Sequence, residues 1–109
     1  MRARVLIVDD DELYLAGMRE WLESAGYETI GADTFEHGKR AMVDFAPHLA
    51  ILDVRLGAFN GLQLISTREV RIPVVVVTGF DDPVLRADAE AFGASYMVKR
   101  HVPARSAHT

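Results

Sequence analysis

The side chains that could do chemistry stand just after short runs of strand-forming residues. Four such runs are followed in turn by Asp9 with Asp10, by Asp53, by Thr78 with Gly79, and by Lys99. Three carboxylates held close together repel one another unless a cation lies among them. Oxygen donors without cysteine or histidine favour a hard ion, and a small acidic cluster that leaves waters in place suits Mg²⁺. A hydroxyl and an ammonium beside that ion fit the neutralisation of a phosphoryl group during its transfer.

The runs that precede these residues are typical of buried strands. Leu49 to Leu52 and Val74 to Val77 are continuously apolar, as in a parallel sheet covered on both faces, and Val5 to Val8 has the same character. Tyr27 to Ile30 predicts a shorter, less apolar strand at an edge, and Ser95 to Val98 predicts a fifth strand. Because the carboxyl ends of parallel strands face one crevice, the acids, the hydroxyl and the lysine are expected to share a pocket.

Helix signals fill the segments between the strands. Leu15, Met18 and Leu22 have the spacing of one helix face, Gly26 is typical of the position after a helix end, and Trp21 beside that face is expected in the core. Three further helices are predicted from a cap at Asp33 or Thr34 to before Pro47, from about Leu62, and from Asp82-Pro83 to about Phe92. Five strands alternating with four helices predict an α/β fold with a doubly wound, parallel five-stranded sheet.

Length and composition restrict the function classes. The chain has 109 residues, enough for one domain, and its formal net charge of −4 argues against direct nucleic-acid binding. It has no cysteine, which excludes a disulfide framework and a thiolate metal site. The apolar run after the basic start, Met1 to Arg4, is too short for a signal peptide, and no run approaches membrane-spanning length. A soluble cytoplasmic protein that does not contact membranes is expected.

The ordered set of strand-end residues resembles the receiver domain of two-component response regulators, over Val5 to Lys99. The residues that carry the resemblance are Val8-Asp9-Asp10, Asp53 after its apolar run, Thr78-Gly79 after Val74 to Val77, and Tyr96 with Lys99. The resemblance implies a flavodoxin-like sheet with strand order 2-1-3-4-5, an order found in chemotaxis receivers. It also implies a receiver domain over residues 1–99 and a C-terminal tail over residues 100–109.

The resemblance gives Asp53 the role of phosphoacceptor. A sensor histidine kinase or a phosphotransfer protein would donate the phosphoryl group from a phosphohistidine, and Asp53 would form an acyl phosphate as a carboxylate nucleophile. Asp10 and Asp53 would bind Mg²⁺ (or Mn²⁺) through their side chains. Asp9 would act largely through water, and the backbone carbonyl of Arg55 would be a further ligand. The implied chemistry is self-catalysed phosphotransfer and autodephosphorylation.

The resemblance also implies a conformational switch. Thr78, Lys99 and the backbone amide of Gly79 would bind phosphoryl oxygens, and Tyr96 stands where the family has an aromatic residue coupled to that threonine. Phosphorylation adds close to two negative charges, and inward movement of Thr78 would open space for Tyr96. The output surface and a possible homodimer interface would be the fourth helix and the fifth strand. An ordinary core position for Tyr96 fits the pattern equally well.

Three features depart from the family pattern. Arg100 follows Lys99 where a cis-proline is usual. We therefore expect a trans peptide bond between these two residues and a different orientation of the lysine side chain. Gly57 replaces a common proline, which predicts a looser loop. The tail from Arg100 to Thr109 has few apolar residues and predicts a truncated or deleted fifth helix, or else a face that a partner covers.

Two other functions stay open at this point. A pseudo-receiver would keep the fold and act only as a phosphorylation-independent interaction module, and Arg100 with the short tail motivates that reading. A hydrolase of the phosphoaspartate type is disfavoured, because Asp53-Val54-Arg55 lacks the second acid that such enzymes place two residues after the nucleophile. Phosphorylation of Asp53 in the presence of Mg²⁺ separates the phosphorylatable receiver from the pseudo-receiver. Turnover of a small phosphomonoester would favour the hydrolase.

Overall fold

The computed structural model describes residues 2–53, 55–56, 59–60, 65 and 71–99 of the chain. Two predicted features lie outside the described residues: the helix expected from about Leu62 and the tail at 100–109. Of that helix only Ile65 is described, and it is helical and buried. Gly57 and Arg100, with the expectations attached to them, also lie outside.

A five-stranded parallel sheet forms the centre of the fold. The strands in chain order are Arg4–Val8 (β1), Glu28–Ala32 (β2), Leu49–Asp53 (β3), Arg55–Leu56 (β4), Phe59–Asn60 (β5), Val74–Thr78 (β6) and Ser95–Val98 (β7). The central sheet has the order β2-β1-β3-β6-β7, and all neighbouring strands in it are parallel. Counted without the short strands β4 and β5, this is the predicted order 2-1-3-4-5. The least apolar strand, β2, lies at an edge, as expected.

The short strands β4 and β5 form an antiparallel hairpin that the sequence did not predict. Arg55 pairs with Asn60 and Leu56 pairs with Phe59, where a loop was expected from Gly57 onward. Local pairing therefore satisfies backbone groups that an open loop would leave to water.

Three helices lie in the described part of the chain. They are Glu12–Ser24 (α1), Phe35–Asp44 (α2) and Pro83–Ala91 (α3), the last being the fourth of the predicted helices. Side chains cap all three starts: Asp11, Thr34 and Asp82 each accept hydrogen bonds from backbone amides of the first turn. Gly26 (φ 101°) and Gly93 (φ 81°) follow α1 and α3 in the left-handed conformation that ends helices. None of these described helices is long and apolar enough to cross a bilayer.

Both faces of the sheet are buried, which explains the continuous apolar runs. Leu6, Val8 and Leu52 belong to a core that includes residues of α2 and α3. Ile7, Ile51 and Val77, which alternate with residues of that core, belong to a second core that includes residues of α1. Because alternate residues of a strand point to opposite faces, each strand contributes to both cores. The strand segments are therefore continuously apolar in sequence, rather than alternating between apolar and polar residues.

The expectation that Trp21 is a core residue is wrong. Its side chain is 66% exposed, whereas its neighbour Leu22 is buried in the core on the α1 face of the sheet. Successive helix residues are rotated by about 100° around the axis, so one position beside an apolar stripe is enough to leave the core.

Candidate functional site

Strand register brings three of the predicted site residues to one corner of the sheet. Asp9 comes two residues after Ile7, and Asp53 comes two residues after Ile51, so both acids point to the α1 face. Asp9 also extends the β1–β2 ladder, since its amide donates to the carbonyl of Ala32 (2.9 Å). Lys99 follows β7, and its amide donates to the carbonyl of Thr78 at 2.6 Å.

The three predicted acids form one cluster. One carboxylate oxygen from each of Asp9, Asp10 and Asp53 lies within 4.8 Å of the others. Asp9 and Asp53 are buried, with 1% and 6% of their surface exposed, whereas Asp10 is exposed to solvent. The amide of Asp11 donates to Asp9 Oδ1 (2.9 Å), which fixes the orientation of that carboxylate. The cluster is therefore closed towards the sheet and open on the side of Asp10.

The Lys99 ammonium lies inside this acidic pocket. Its Nζ is 2.7 Å from Asp9 Oδ2 and 3.8 Å from Asp53 Oδ2, and only 17% of the side chain is exposed. Burial alone lowers the pKa of Lys99, but the contact with Asp9 and the charge of Asp53 outweigh burial, so the net effect raises that pKa. Lys99 is therefore positively charged at neutral pH and compensates part of the negative charge of the cluster.

The donor set of the cluster fits a hard divalent cation. Asp9 Oδ2 is buried and accepts no hydrogen bond of good geometry from the described residues, and its close contact is the ion pair with Lys99. Carboxylate oxygens from three residues at this spacing, with one residue exposed to water, match the ligand preference of Mg²⁺ or Mn²⁺. An oxygen held in this way is available to a cation or to a water molecule bound to one.

The remaining predicted phosphoryl ligands line the adjacent strand end. Thr78 is the last residue of β6 and is buried, and its Oγ1 accepts a long hydrogen bond from the amide of Phe80 (3.4 Å). Gly79 follows it and is exposed, and a Cβ at that position would meet nothing within 4 Å. Arg55 follows the acidic strand end by two residues, in β4. The structure therefore brings Thr78 and Gly79 to the same sheet edge as the acids and Lys99.

Tyr96 lies on the other face of the sheet and is held at the β6–α3 loop. It faces Val76 in the register of β6 and β7, and so shares a face with Thr78. Its hydroxyl accepts a hydrogen bond from the amide of Asp82 (2.8 Å), the residue that caps α3. The Arg86 guanidinium lies 4.9 Å from the centre of the ring. The hydroxyl thus links β7 to the start of α3.

The sequence reasoning missed Tyr14, which contacts the site from α1. The Lys99 Nζ lies 4.3 Å from the centre of the Tyr14 ring. Burial raises the pKa of the Tyr14 hydroxyl, and the charges of Asp9 and Asp53 raise it against the opposing effect of Lys99. The only sequence signal was an aromatic residue in the first turn of the helix that follows the acidic strand end.

Comparisons with known proteins agree with this architecture. The sequence matches the response regulator receiver domain family over residues 5–108. It is 33% identical over 94 residues to the photosynthetic apparatus regulatory protein RegA of Rhodobacter capsulatus, covering 84% of this chain and 51% of that protein. This chain therefore spans about half the length of that relative.

Solved structures share the fold. A CheY-like response regulator receiver domain protein from Methanospirillum hungatei superposes with a TM-score of 0.86 at 29% identity, covering 94% of this chain and 86% of the other. A Burkholderia pseudomallei response regulator, solved with a phosphorylated aspartic acid, a calcium ion and citrate, gives a TM-score of 0.83 at 23% identity, covering 92% and 61%. With the family match spanning nearly the whole sequence, the chain belongs to the response regulator receiver domain family of two-component systems.

Proposed function

We propose that this domain is a working phosphoacceptor, with Asp53 as the residue that is phosphorylated in a Mg²⁺-dependent reaction. The observation that carries the proposal is the pocket itself: a buried carboxylate at a strand end, 3.8 Å from a charged lysine and clustered with two further acids. Structural ion pairs also bury charge, but a pocket that adds a third, exposed acid to two buried acids beside one lysine offers the oxygen donors that a hard divalent cation prefers.

The proposed reaction is a transfer between two nucleophiles. An Asp53 oxygen attacks the phosphorus of a phosphohistidine on a histidine kinase or phosphotransfer protein. The new O–P bond forms as the N–P bond breaks, and the electron pair of that bond stays on the imidazole. Lys99 is close enough to Asp53 to meet a phosphoryl oxygen after a small movement. The exposed Gly79 amide and the Thr78 hydroxyl would bind the others.

The proposed cofactor is Mg²⁺ or Mn²⁺. Asp10 and Asp53 would bind it through their side chains, Asp9 largely through water, and the carbonyl of Arg55 would be a further ligand. When bound, the ion neutralises part of the phosphoryl charge. Asp9 would keep its orientation through the hydrogen bond from the Asp11 amide. In dephosphorylation the same residues would hold the acyl phosphate while water attacks.

The proposed switch involves Thr78 and Tyr96. They share one face of the sheet, and the Tyr96 hydroxyl is hydrogen bonded to the amide that begins α3. A Thr78 hydroxyl drawn towards a phosphoryl group would vacate space near Tyr96, and a ring that moves would change the contacts of α3. A difference of a few kcal/mol between the two arrangements is enough for phosphorylation to shift their populations.

The proposed partners follow from the surface around the pocket. Leu13 in the first turn of α1 and Phe80 after the end of β6 are 87% and 76% exposed, so they would dock the phosphodonor, a sensor histidine kinase or a phosphotransfer protein. A homodimer through α3 and β7 is part of the proposal. Direct nucleic-acid binding and membrane contact are not, and the proposed compartment is the cytoplasm.

The direct test is covalent modification of the chain. Incubation with Mg²⁺ and acetyl phosphate is expected to add one phosphoryl group to the wild type, read by intact mass. Asp53→Asn removes the nucleophile, so this variant is expected to gain none, and chelation of the metal is expected to suppress the adduct on the wild type. Lys39→Met, on the exposed face of α2, serves as a control and is expected to behave as wild type.

The result also decides between this proposal and the pseudo-receiver. The wild type gaining no adduct, or an adduct that persists in Asp53→Asn, would overturn phosphorylation at Asp53 and favour an interaction module. One observation favours that alternative: the Lys99 ammonium lies closer to Asp9 (2.7 Å) than to Asp53 (3.8 Å), so its close ion pair is not with the phosphoacceptor.

A further inference from the structure

We propose that Tyr14 is a positioning residue, whose ring face holds the Lys99 ammonium in the acidic pocket. The inference rests on the proposed function for its kinetic consequence and on geometry for the contact. The Lys99 Nζ lies 4.3 Å from the centre of the Tyr14 ring, within the distance at which the negative face of an aromatic ring attracts a cation. The ring is half-buried, so water screens this attraction incompletely.

Asp11 both orients Asp9 and places the backbone of Tyr14. The Asp11 amide donates to Asp9 Oδ1 (2.9 Å), and Asp11 Oδ1 accepts from the amide of Tyr14 (3.2 Å) as the cap of α1. Asp11 therefore connects the carboxylate that pairs with Lys99 to the ring that contacts it. This chain of contacts fixes the position of the Tyr14 backbone relative to the Asp9 carboxylate.

Lys99 needs such a constraint because its side chain is long. Its backbone is tied to the sheet by the hydrogen bond to the Thr78 carbonyl, but four flexible methylene groups separate that backbone from the ammonium. Asp9 and Asp53 both attract the ammonium, at 2.7 and 3.8 Å. The Tyr14 ring is a third contact of the ammonium and, in this proposal, favours its position inside the pocket over positions in solvent.

The aromatic ring of Tyr14, rather than its hydroxyl, holds the Lys99 ammonium. The contact is with the ring centre, and the raised pKa of Tyr14 keeps the phenol neutral, so no phenolate pairs with the ammonium. Phenylalanine has the same kind of ring face and should replace tyrosine, whereas leucine or methionine fills similar space without one. A purely structural role in the packing of α1 would not shift the NMR signal of the Lys99 side chain, so that signal separates the two roles.

The contact is tested in the metal-free, unphosphorylated chain by NMR of the Lys99 ε-methylene group. Protons above an aromatic face are shifted upfield, so the wild type is expected to show an upfield signal. Tyr14→Phe is expected to retain it, Tyr14→Leu to lose it, and Tyr27→Leu, a matched change at a partly exposed tyrosine on no site element, to leave it unchanged. Tyr14→Met replaces the leucine variant if that variant does not fold.

The effect of the ring contact on phosphotransfer is tested by the rate of Asp53 phosphorylation with acetyl phosphate at saturating Mg²⁺. Loss of the ring is expected to slow the reaction on the order of three- to tenfold in Tyr14→Leu, with Tyr14→Phe near the wild type. An unshifted Lys99 signal in the wild type, an unchanged rate in Tyr14→Leu, or a Tyr14→Phe variant as slow as leucine would each overturn the inference. Absence of any adduct on the wild type overturns the proposed function instead, and the NMR signal then decides the contact alone.

Discussion

At the scale of single residues, the balance of charge in the pocket depends on Lys99. The Asp9 carboxylate is buried, and its close cation is the Lys99 ammonium at 2.7 Å. Removing one partner of a buried pair leaves the other charge without compensation, which costs more than the pair itself contributes. The neighbouring carboxylates of Asp10 and Asp53 add repulsion that the lysine partly relieves.

Lys99→Met is therefore expected to lower the free energy of unfolding by about 2 kcal/mol in the absence of divalent ions. Mg²⁺ is expected to recover part of this loss and to stabilise the variant more than the wild type, because the ion no longer competes with an ammonium. Urea unfolding with and without Mg²⁺ measures both effects. Lys39→Met is the control and is expected to change stability by less than about 0.5 kcal/mol. Equal stability of Lys99→Met and wild type in chelator would contradict this account.

The pH dependence of the same pair has a defined sign. The pKa of Lys99 is raised in the folded chain above the ordinary value of 10.5. The stabilisation is then fully present below the unfolded pKa and is lost as the pH rises through the folded pKa. The stability difference between wild type and Lys99→Met should accordingly stay constant through neutral pH and shrink only in strongly alkaline solution.

At the scale of elements, two glycines of the α1 region should respond in opposite ways. Gly17 lies inside α1, and a Cβ there would meet nothing within 4 Å. Gly26 follows the helix with a φ of 101°, which disfavours residues that carry a Cβ. Gly17→Ala is expected to stabilise the chain by about 0.5–1 kcal/mol, and Gly26→Ala to destabilise it by about 1–2 kcal/mol. Urea midpoints at constant m-value test this, and two changes of the same sign would refute it.

The elements also show why some features were predictable and others were not. The strands that lead to Asp9 and Asp53 contain continuous apolar runs, so both their burial and their ends were visible in the sequence. The hairpin of β4 and β5 depends on pairing between two-residue segments, too short for any periodicity. Tyr14 was missed because its contact joins α1 to the end of β7, which are distant in the sequence. Trp21 was misplaced because a position beside an apolar stripe can face either way.

At the scale of the whole molecule, the proposed signal runs from the pocket to the surface of α3 and β7. Val84 on α3 is 68% exposed, and Met97, which points to the opposite face of the edge strand β7, is 57% exposed, although both are large apolar residues. Exposed apolar side chains on adjacent elements are typical of an interaction surface. In the proposed switch, Tyr96 would connect this surface to the pocket, since its hydroxyl binds the amide of Asp82 at the start of α3 and its side chain shares a sheet face with Thr78.

Beryllofluoride, a mimic of the bound phosphoryl group, is therefore expected to convert the chain from monomer to dimer in the presence of Mg²⁺. Light scattering after size exclusion measures the mass. Val84→Asp is expected to abolish the dimer, because a charge buried at an apolar interface is costly, and yet to leave phosphorylation of Asp53 unchanged. Val43→Asp makes the same change at an exposed valine of α2 and is expected to leave the dimer intact. A phosphorylated chain that stays monomeric, or a dimer that survives in Val84→Asp, would place the output surface elsewhere on the molecule.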